Sequence, residues 1–134
     1  MNSGLVIAIV AGVTVLAIVL LLLIRRRRVN PNVFKEKWQD LQRFCSGKET
    51  WPLAIISADK LLDEALKKKR VKGKSMGERL VAVQRILTDN DSVWFSHNLA
   101  KKLIDDSVSR LTQADVKKSL VGVRQALRDL GVME

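Results

Sequence analysis

The stretch LVIAIVAGVTVLAIVLLLLI, residues 5–24, is followed at once by Arg25, Arg26, Arg27 and Arg28 and decides how the chain is organised. It holds twenty residues without a charge, fifteen of them Val, Leu or Ile. As a helix it rises about 30 Å, the thickness of a bilayer hydrocarbon core. At about 0.3–0.6 kcal/mol for each of those side chains, insertion gains at most about 5–9 kcal/mol. A cleaved signal peptide would need a basic start, a short apolar centre and a small-residue cleavage site. Here Met1-Asn2-Ser3-Gly4 carries no basic side chain, and the run ends Leu22-Leu23-Ile24-Arg25. A buried core helix would not continue into four arginines. A retained transmembrane anchor over residues 1–28 is therefore expected.

All 24 Lys and Arg residues lie after Ile24. The positive-inside rule then predicts Met1 outside and the C-terminal part in the cytoplasm, with the inner (plasma) membrane as the location. Arg25, Arg26, Arg27 and Arg28 are expected at anionic lipid headgroups, each contributing about 1 kcal/mol near the surface. Ala8-x-x-x-Gly12 has the spacing of a helix-packing motif, but that pattern alone does not specify a dimer.

Beyond Arg28 the chain is long enough for one small domain. Four of the 24 basic residues sit in the arginine cluster, which leaves 20 against 14 acidic ones, a net of +6. Such a balance admits nucleic acid, anionic lipid or an acidic protein as partner and selects none. Cys45 is the single cysteine, so no internal disulfide forms, and its place in an apolar pattern predicts a buried small hydrophobe. One Cys and one His do not build a zinc site.

Helical periodicity runs through the rest. Asn30-Pro31 stops one helix and starts another, with Phe34, Trp38, Leu41 and Cys45 along one face to about Ser46. Thr50 is a candidate cap for a helix whose stripe is Ile55, Ala58, Leu62 and Ala65, widened by Ala54, Leu61 and Leu66, and which ends near Arg70. Ser75-x-x-Glu78 reads as a capping box before Leu80, Val83 and Leu87. Asp91 is expected to cap a fourth helix with Trp94, Ala100 and Ile104 or Leu103 inward. Thr112-x-x-Asp115 caps a fifth, whose Val116, Leu120, Val123, Leu127 and Leu130 precede a Gly131 stop. No strand pattern appears. The expectation is an all-α protein: a transmembrane helix, a connecting amphipathic helix over 29–50, and an up-and-down bundle of about five helices in all, with 51–134 as its main body.

The chain offers little chemistry. Lys72-Gly73-Lys74-Ser75 looks like the end of a phosphate loop, but the earlier glycine and the strand are missing. Backbone amides near Met76 and Gly77 remain able to meet an anion. Ser96-His97 lacks a nucleophile elbow, so His97 reads as a structural residue of its helix. Asp59 and Asp63 share a helix face, yet no His or Glu cluster completes a metal site, and a Lys60–Glu64 surface pair accounts for part of the charge. Trp51 and Trp94 each stand at a helix start and are expected to pack rather than to stack on a base. No cofactor is implied.

The segment Trp51 to Asp63, the block Ser75-Met76-Gly77-Glu78-Arg79-Leu80, and Trp94 with His97 together resemble a group of small bacterial membrane proteins with a HEPN-like helical cytoplasmic domain. The resemblance covers about Trp51 to Leu130 and implies the fold. The ribonucleases among HEPN domains carry an Arg followed four to six residues later by a His. In this chain Ala100 and Lys101 stand where Arg and its polar neighbour would be, and Asp105 stands where the His would be. Asn90, Asp91 and Ser92 occupy the positions where an Arg for His97 would lie. A metal-independent ribonuclease would lack both its base and its phosphate-stabilising cation. The sequence thus points to a non-catalytic module that binds a protein or nucleic-acid partner. The alternatives are a diverged ribonuclease using Lys101 or Asp105, and a membrane organiser resting on anionic lipid. Lys67, Lys68, Lys69, Arg70, Lys72, Lys74, Lys101 and Lys102 are the candidate anion- or partner-binding residues.

Overall fold

The computed structural model describes residues 2–26, 29–105 and 110–134. Among these the chain is all-helical. Helix α1 (Ser3–Arg26) is followed by α2 (Pro31–Gln42), two short 3-10 turns (Arg43–Ser46 and Lys48–Thr50), α3 (Trp51–Lys68), α4 (Met76–Ala82), α5 (Asn90–Asp105) and α6 (Gln113–Asp129). Helix α1 is long and apolar enough to cross a membrane, and no residue of its Ser3–Leu20 stretch is buried by the rest of the chain. Its polar side chain Thr14 donates to the Val10 carbonyl at 2.8 Å, which satisfies the hydroxyl within the helix.

Helices α2, α3, α5 and α6 alternate in direction. Lys37 of α2 meets Glu64 of α3, while Lys68, one turn later on α3, lies over the ring of Phe34, one turn earlier on α2. These two contacts set α2 antiparallel to α3. Asp59 meets His97 of α5, and Ile55 clusters with Ala100 and Leu103, so α3 and α5 are antiparallel too. Val116 joins that same cluster while Val123 and Leu127 join Leu62 and Leu66 in the larger one, which sets α6 parallel to α3. The expected up-and-down bundle is thus observed. Helix α2, expected as a connector, contributes Phe34, Trp38 and Leu41 to the same core as α3 and α6. Each such side chain contributes about 1.5–3 kcal/mol by leaving water.

The caps show where local signals were decisive. The Asn30 side chain accepts from the Asn32 N–H at 3.0 Å with Pro31 in the first turn. Thr112 and Asp115 form a complete capping box. Ser75 accepts from the Glu78 N–H at 3.2 Å, but Glu78 reaches the Lys74 N–H at 2.6 Å instead of returning to Ser75. Thr50 stands at the start of α3 without capping it; its hydroxyl turns back to the carbonyls of Phe44 and Gly47. Helix α5 is capped by Asp89, which accepts from the Ser92 N–H at 3.1 Å, and not by Asp91. On α5 Leu103 is buried and Ile104 is 60 % exposed. Trp94 and Leu120 are half-buried on their stripes. Cys45 falls in the first 3-10 turn and is half-buried, not enclosed; its burial still pushes the thiol pKa up.

Two helices end alike and differ in one residue. After α6 the Val132 N–H donates to Leu127 and the Gly131 N–H to Arg128, with Gly131 at φ 73°. After α3 the Val71 N–H donates to Leu66 and the Arg70 N–H to Lys67, with Arg70 at φ 57°. Both are Schellman endings, whose left-handed position suits glycine. Helices α5 and α6 pack so closely that a Cβ on Gly122 would lie 2.6 Å from the Ser92 Cβ and 3.0 Å from its backbone carbon.

In thermal unfolding of the detergent-solubilised chain followed by circular dichroism, Arg70→Gly is expected to stabilise by about 0.5–1 kcal/mol, because glycine removes the left-handed penalty. Gly122→Ala is expected to destabilise by about 1–3 kcal/mol through overpacking.

Candidate functional site

The polar residues that face the bundle interior are structural in their geometry. Arg79 of α4 is 8 % exposed. Its Nε and Nη2 donate to Asp63 Oδ1 at 2.8 and 2.7 Å, and its Nη1 donates to the Gly73 carbonyl at 3.0 Å. Lys67 approaches the other Asp63 oxygen at 3.4 Å. His97 Nδ1 lies 3.0 Å from Asp59 Oδ1, and the edge of Trp94 meets the imidazole at a centroid distance of 6.0 Å. The carboxylate accepts, so Nδ1 carries the hydrogen. Ser96 is fully buried and its hydroxyl has no hydrogen-bond partner, so it makes no nucleophile–base pair with His97. Asp59 and Asp63 each hold a basic partner of their own. Glu64 pairs with Lys37 at 2.7 Å and Lys68 at 4.0 Å, not with Lys60. Among the described residues no group of three or more His, Cys, Asp or Glu gathers as a metal site would require.

Trp51 and Trp94 are both engaged. Trp51 Nε1 donates to the Cys45 carbonyl at 3.1 Å, and Trp94 is half-buried against the larger core cluster. At the start of α4, Ser75 accepts from the Glu78 N–H and the Glu78 carboxylate accepts from the Lys74 N–H. Where the HEPN motif would fall, Ala100 is buried, and Lys101 and Asp105 are exposed.

The candidate basic residues divide into two sets. Lys67, Lys68, Lys69, Arg70, Lys72 and Lys74 surround the end of α3 and the loop after it; all six are exposed. Lys69 Nζ reaches the end of α6, lying 4.0 Å from where a Gly131 Cβ would be. Lys69, Arg70, Lys72 and Lys74 have no ion pair among the described residues. Lys101 and Lys102 lie at the other end. Lys67 is eight residues beyond Asp59 on α3 and Lys101 four beyond His97 on antiparallel α5. At 1.5 Å per residue the two sets are about 18 Å apart along the bundle. The single basic surface expected from the sequence is therefore not formed.

The first set shares its pole with the start of α2. Lys68 Nζ lies 5.8 Å from the centre of the Phe34 ring, in the first turn of that helix. Five peptide steps separate Arg26, the last described residue of α1, from Pro31. Five extended residues reach about 18 Å at most. The Lys67–Lys74 segment thus stands at the end of the bundle that the chain enters from α1. Of the arginine cluster, Arg25 and Arg26 complete α1, while Arg27 and Arg28 lie outside the described residues. The same pole is closed by Asp129, which accepts from the Thr88 N–H and hydroxyl at 2.9 and 3.0 Å. Desolvation raises the Asp129 pKa, but the hydrogen bonds from Thr88 and Gln125 outweigh it and leave the carboxyl below its ordinary value.

Comparison with protein-family models, with curated proteins and with solved structures gave no match.

Asp63→Ala is expected to destabilise the chain by about 3 kcal/mol, since it strands the Arg79 guanidinium in the interior. Lys67→Ala, which removes only the exposed partner, is expected to change stability by less than about 1 kcal/mol in the same denaturation assay.

Proposed function

We propose that this chain is a single-pass membrane protein with its bundle in the cytoplasm, and that the bundle is a non-catalytic binding module whose basic pole rests on anionic lipid. The observation that carries this reading is the coincidence of two features at one pole. The cations of Lys67–Lys74 surround the end of α3, and that end lies beside the start of α2, which the chain reaches directly from α1. Four of those cations have no described ion partner, and each contributes about 1 kcal/mol near an anionic surface. Such attraction is strongest within a Debye length, about 8 Å in physiological salt, so the short tether matters as much as the charge.

A nucleic-acid partner fits less well. A surface for it would combine Lys67–Lys74 with Lys101 and Lys102, which lie at opposite ends of the bundle. A diverged ribonuclease would have to work with Lys101 and Asp105 alone, without an identified base. The likeness of Trp51–Asp63 and Ser75–Leu80 to HEPN domains supports a HEPN-like fold for the bundle as part of the same proposal. On this reading the pole carrying Lys101 and Lys102 stays in the cytoplasm, free to hold a soluble partner.

The test is site-resolved trypsin digestion of the full chain in nanodiscs. In phosphatidylserine-rich discs, cleavage after Lys69, Arg70, Lys72 and Lys74 is expected to slow about tenfold relative to phosphatidylcholine discs and to recover in high salt, while cleavage after Lys117 and Lys118 is unchanged. Equal cleavage in both lipids would overturn the lipid-facing pole.

A further inference from the structure

The connection from α4 to α5 holds apolar side chains out of the core. Val81, in the last turn of α4, is 51 % exposed, and Ile86, in the turn that follows, is 56 % exposed. We propose that this connection enters the surface of the bilayer, setting Val81 and Ile86 at the boundary between headgroups and acyl chains. This contact rests on the proposed lipid-facing pole and adds an apolar grip to its charges.

Local chemistry fixes Ile86 in the open. Val83 and Leu87, on either side of it, are buried in the larger core cluster. The Val83 carbonyl accepts from the N–H groups of Ile86 and Leu87 at 2.8 and 3.2 Å. The Asn90 amide donates to the carbonyls of Gln84 and Leu87 at 2.8 and 3.2 Å. The turn is thus fastened along its backbone, and Gln84, Arg85 and Ile86 stand exposed between two buried anchors.

The turn lies at the pole that the chain enters from α1. Thr88, two residues beyond Ile86, donates to Asp129 at the end of α6, and α6 runs parallel to α3. Arg79, two residues before Val81, holds Asp63 in the last third of α3. Val33, in the first turn of α2, adds a third exposed apolar side chain at the same end. Single exposed apolar residues are ordinary on a protein surface, and Leu53, Ile104 and Val121 are such residues elsewhere on the bundle. What distinguishes Val33, Val81 and Ile86 is the pole they share and the charge around them.

From Lys69 to Thr88 the exposed charged side chains are Lys69, Arg70, Lys72, Lys74 and Arg85 against Glu78 alone. Arg85 has no ion pair among the described residues. Cations interleaved with apolar side chains suit a bilayer interface, where the charges hold anionic headgroups and the apolar groups pass below them. A soluble acidic partner would meet the same charge. The direct entry of the chain from α1 brings the bilayer to this pole, and that decides for lipid. A few apolar side chains alone bind a membrane weakly, so charge and insertion hold together and salt releases both.

The test uses the full chain, with carbon-13 labelled isoleucine methyl groups, in phosphatidylserine-rich nanodiscs. A small fraction of the lipid carries a spin label near the carbonyl end of its acyl chain. Ile86→Leu assigns the Ile86 resonance. The expected result is broadening of that resonance by the labelled lipid and its protection from a water-soluble gadolinium chelate. Ile104, exposed at the opposite pole, is expected to behave in reverse. Ile86→Ser is expected to speed trypsin cleavage after Lys69, Arg70, Lys72 and Lys74 about fivefold in these discs, with the thermal melt unchanged. An Ile86 methyl reached by the chelate and not by the lipid label, with those four sites still protected from trypsin, overturns the insertion and leaves the patch to a soluble partner; the charged pole then stands. Equal trypsin cleavage in phosphatidylserine and phosphatidylcholine overturns the pole and the insertion together.

Discussion

Helix α3 has to satisfy three neighbouring helices along one broad face, and the rest of the bundle takes its direction from how it does so. It buries Ala54, Ile55, Ala58, Leu61, Leu62, Ala65 and Leu66, an apolar stripe about 140° wide at 100° per residue. A stripe that wide cannot be covered by one partner helix. Helices α2, α5 and α6 each take a share, and polar contacts at the border fix the levels. Asp59 holds α5 through His97, Asp63 holds α4 through Arg79, and Glu64 holds α2 through Lys37. Apolar packing alone would tolerate a slip of one turn along α3. A slip would strand the Arg79 guanidinium, which is nearly excluded from water, and that is a far larger penalty than any it could recover.

The same constraint decides which end of the bundle is near the anchor. Once α2 runs antiparallel to α3, the chain that leaves α1 must enter beside the C-terminal end of α3. Pro31, at that end, is then within about 18 Å of Arg26 whatever angle the bundle takes, because only five peptide steps separate the two. Cations at a helix C-terminus also oppose its dipole, so Lys67 and Lys68 have a structural use as well. That use ends with the helix. Lys72 and Lys74 stand beyond it in the loop, and neither makes an ion pair among the described residues.

Much of the fold was legible as periodicity. The stripe of α3 and the faces of α2 and α6 were read residue by residue, because three- and four-residue spacing leaves few alternatives over long helices. Capping was legible where one residue could do it, as with Asn30 and Thr112. It was not where several could: Asp89, Asn90 and Asp91 all suit a cap, and the choice was made by Asn90, whose amide is engaged by the carbonyls of Gln84 and Leu87. Leu103 and Ile104 differ by 100° around the helix, and a single sequence position cannot tell which direction faces α6. The pairs that fix the levels of α3 were hidden for a different reason. Asp59 and His97 are 38 residues apart and Asp63 and Arg79 are 16 apart, so no local pattern announces them. The basic surface failed for the same cause: Lys101 and Lys102 were joined to Lys67–Lys74 by charge alone, and the antiparallel pairing of α3 and α5 sends them to opposite ends.

Arg70 bears on the proposed lipid-facing pole from an independent direction. Two helices in this chain end in the same hydrogen-bonding pattern, and at Gly131 the left-handed position is filled by the residue best suited to it. At Arg70 it is filled by a residue that adopts that conformation at a penalty of about 1 kcal/mol. Neighbouring packing does not require the side chain, since Arg70 is exposed and makes no ion pair among the described residues. Departures from local preference gather where a residue serves something other than the fold. On the proposed reading, the exposed cation there adds to the charge at the pole from which the chain emerges. A glycine would end α3 better and leave that surface one charge poorer.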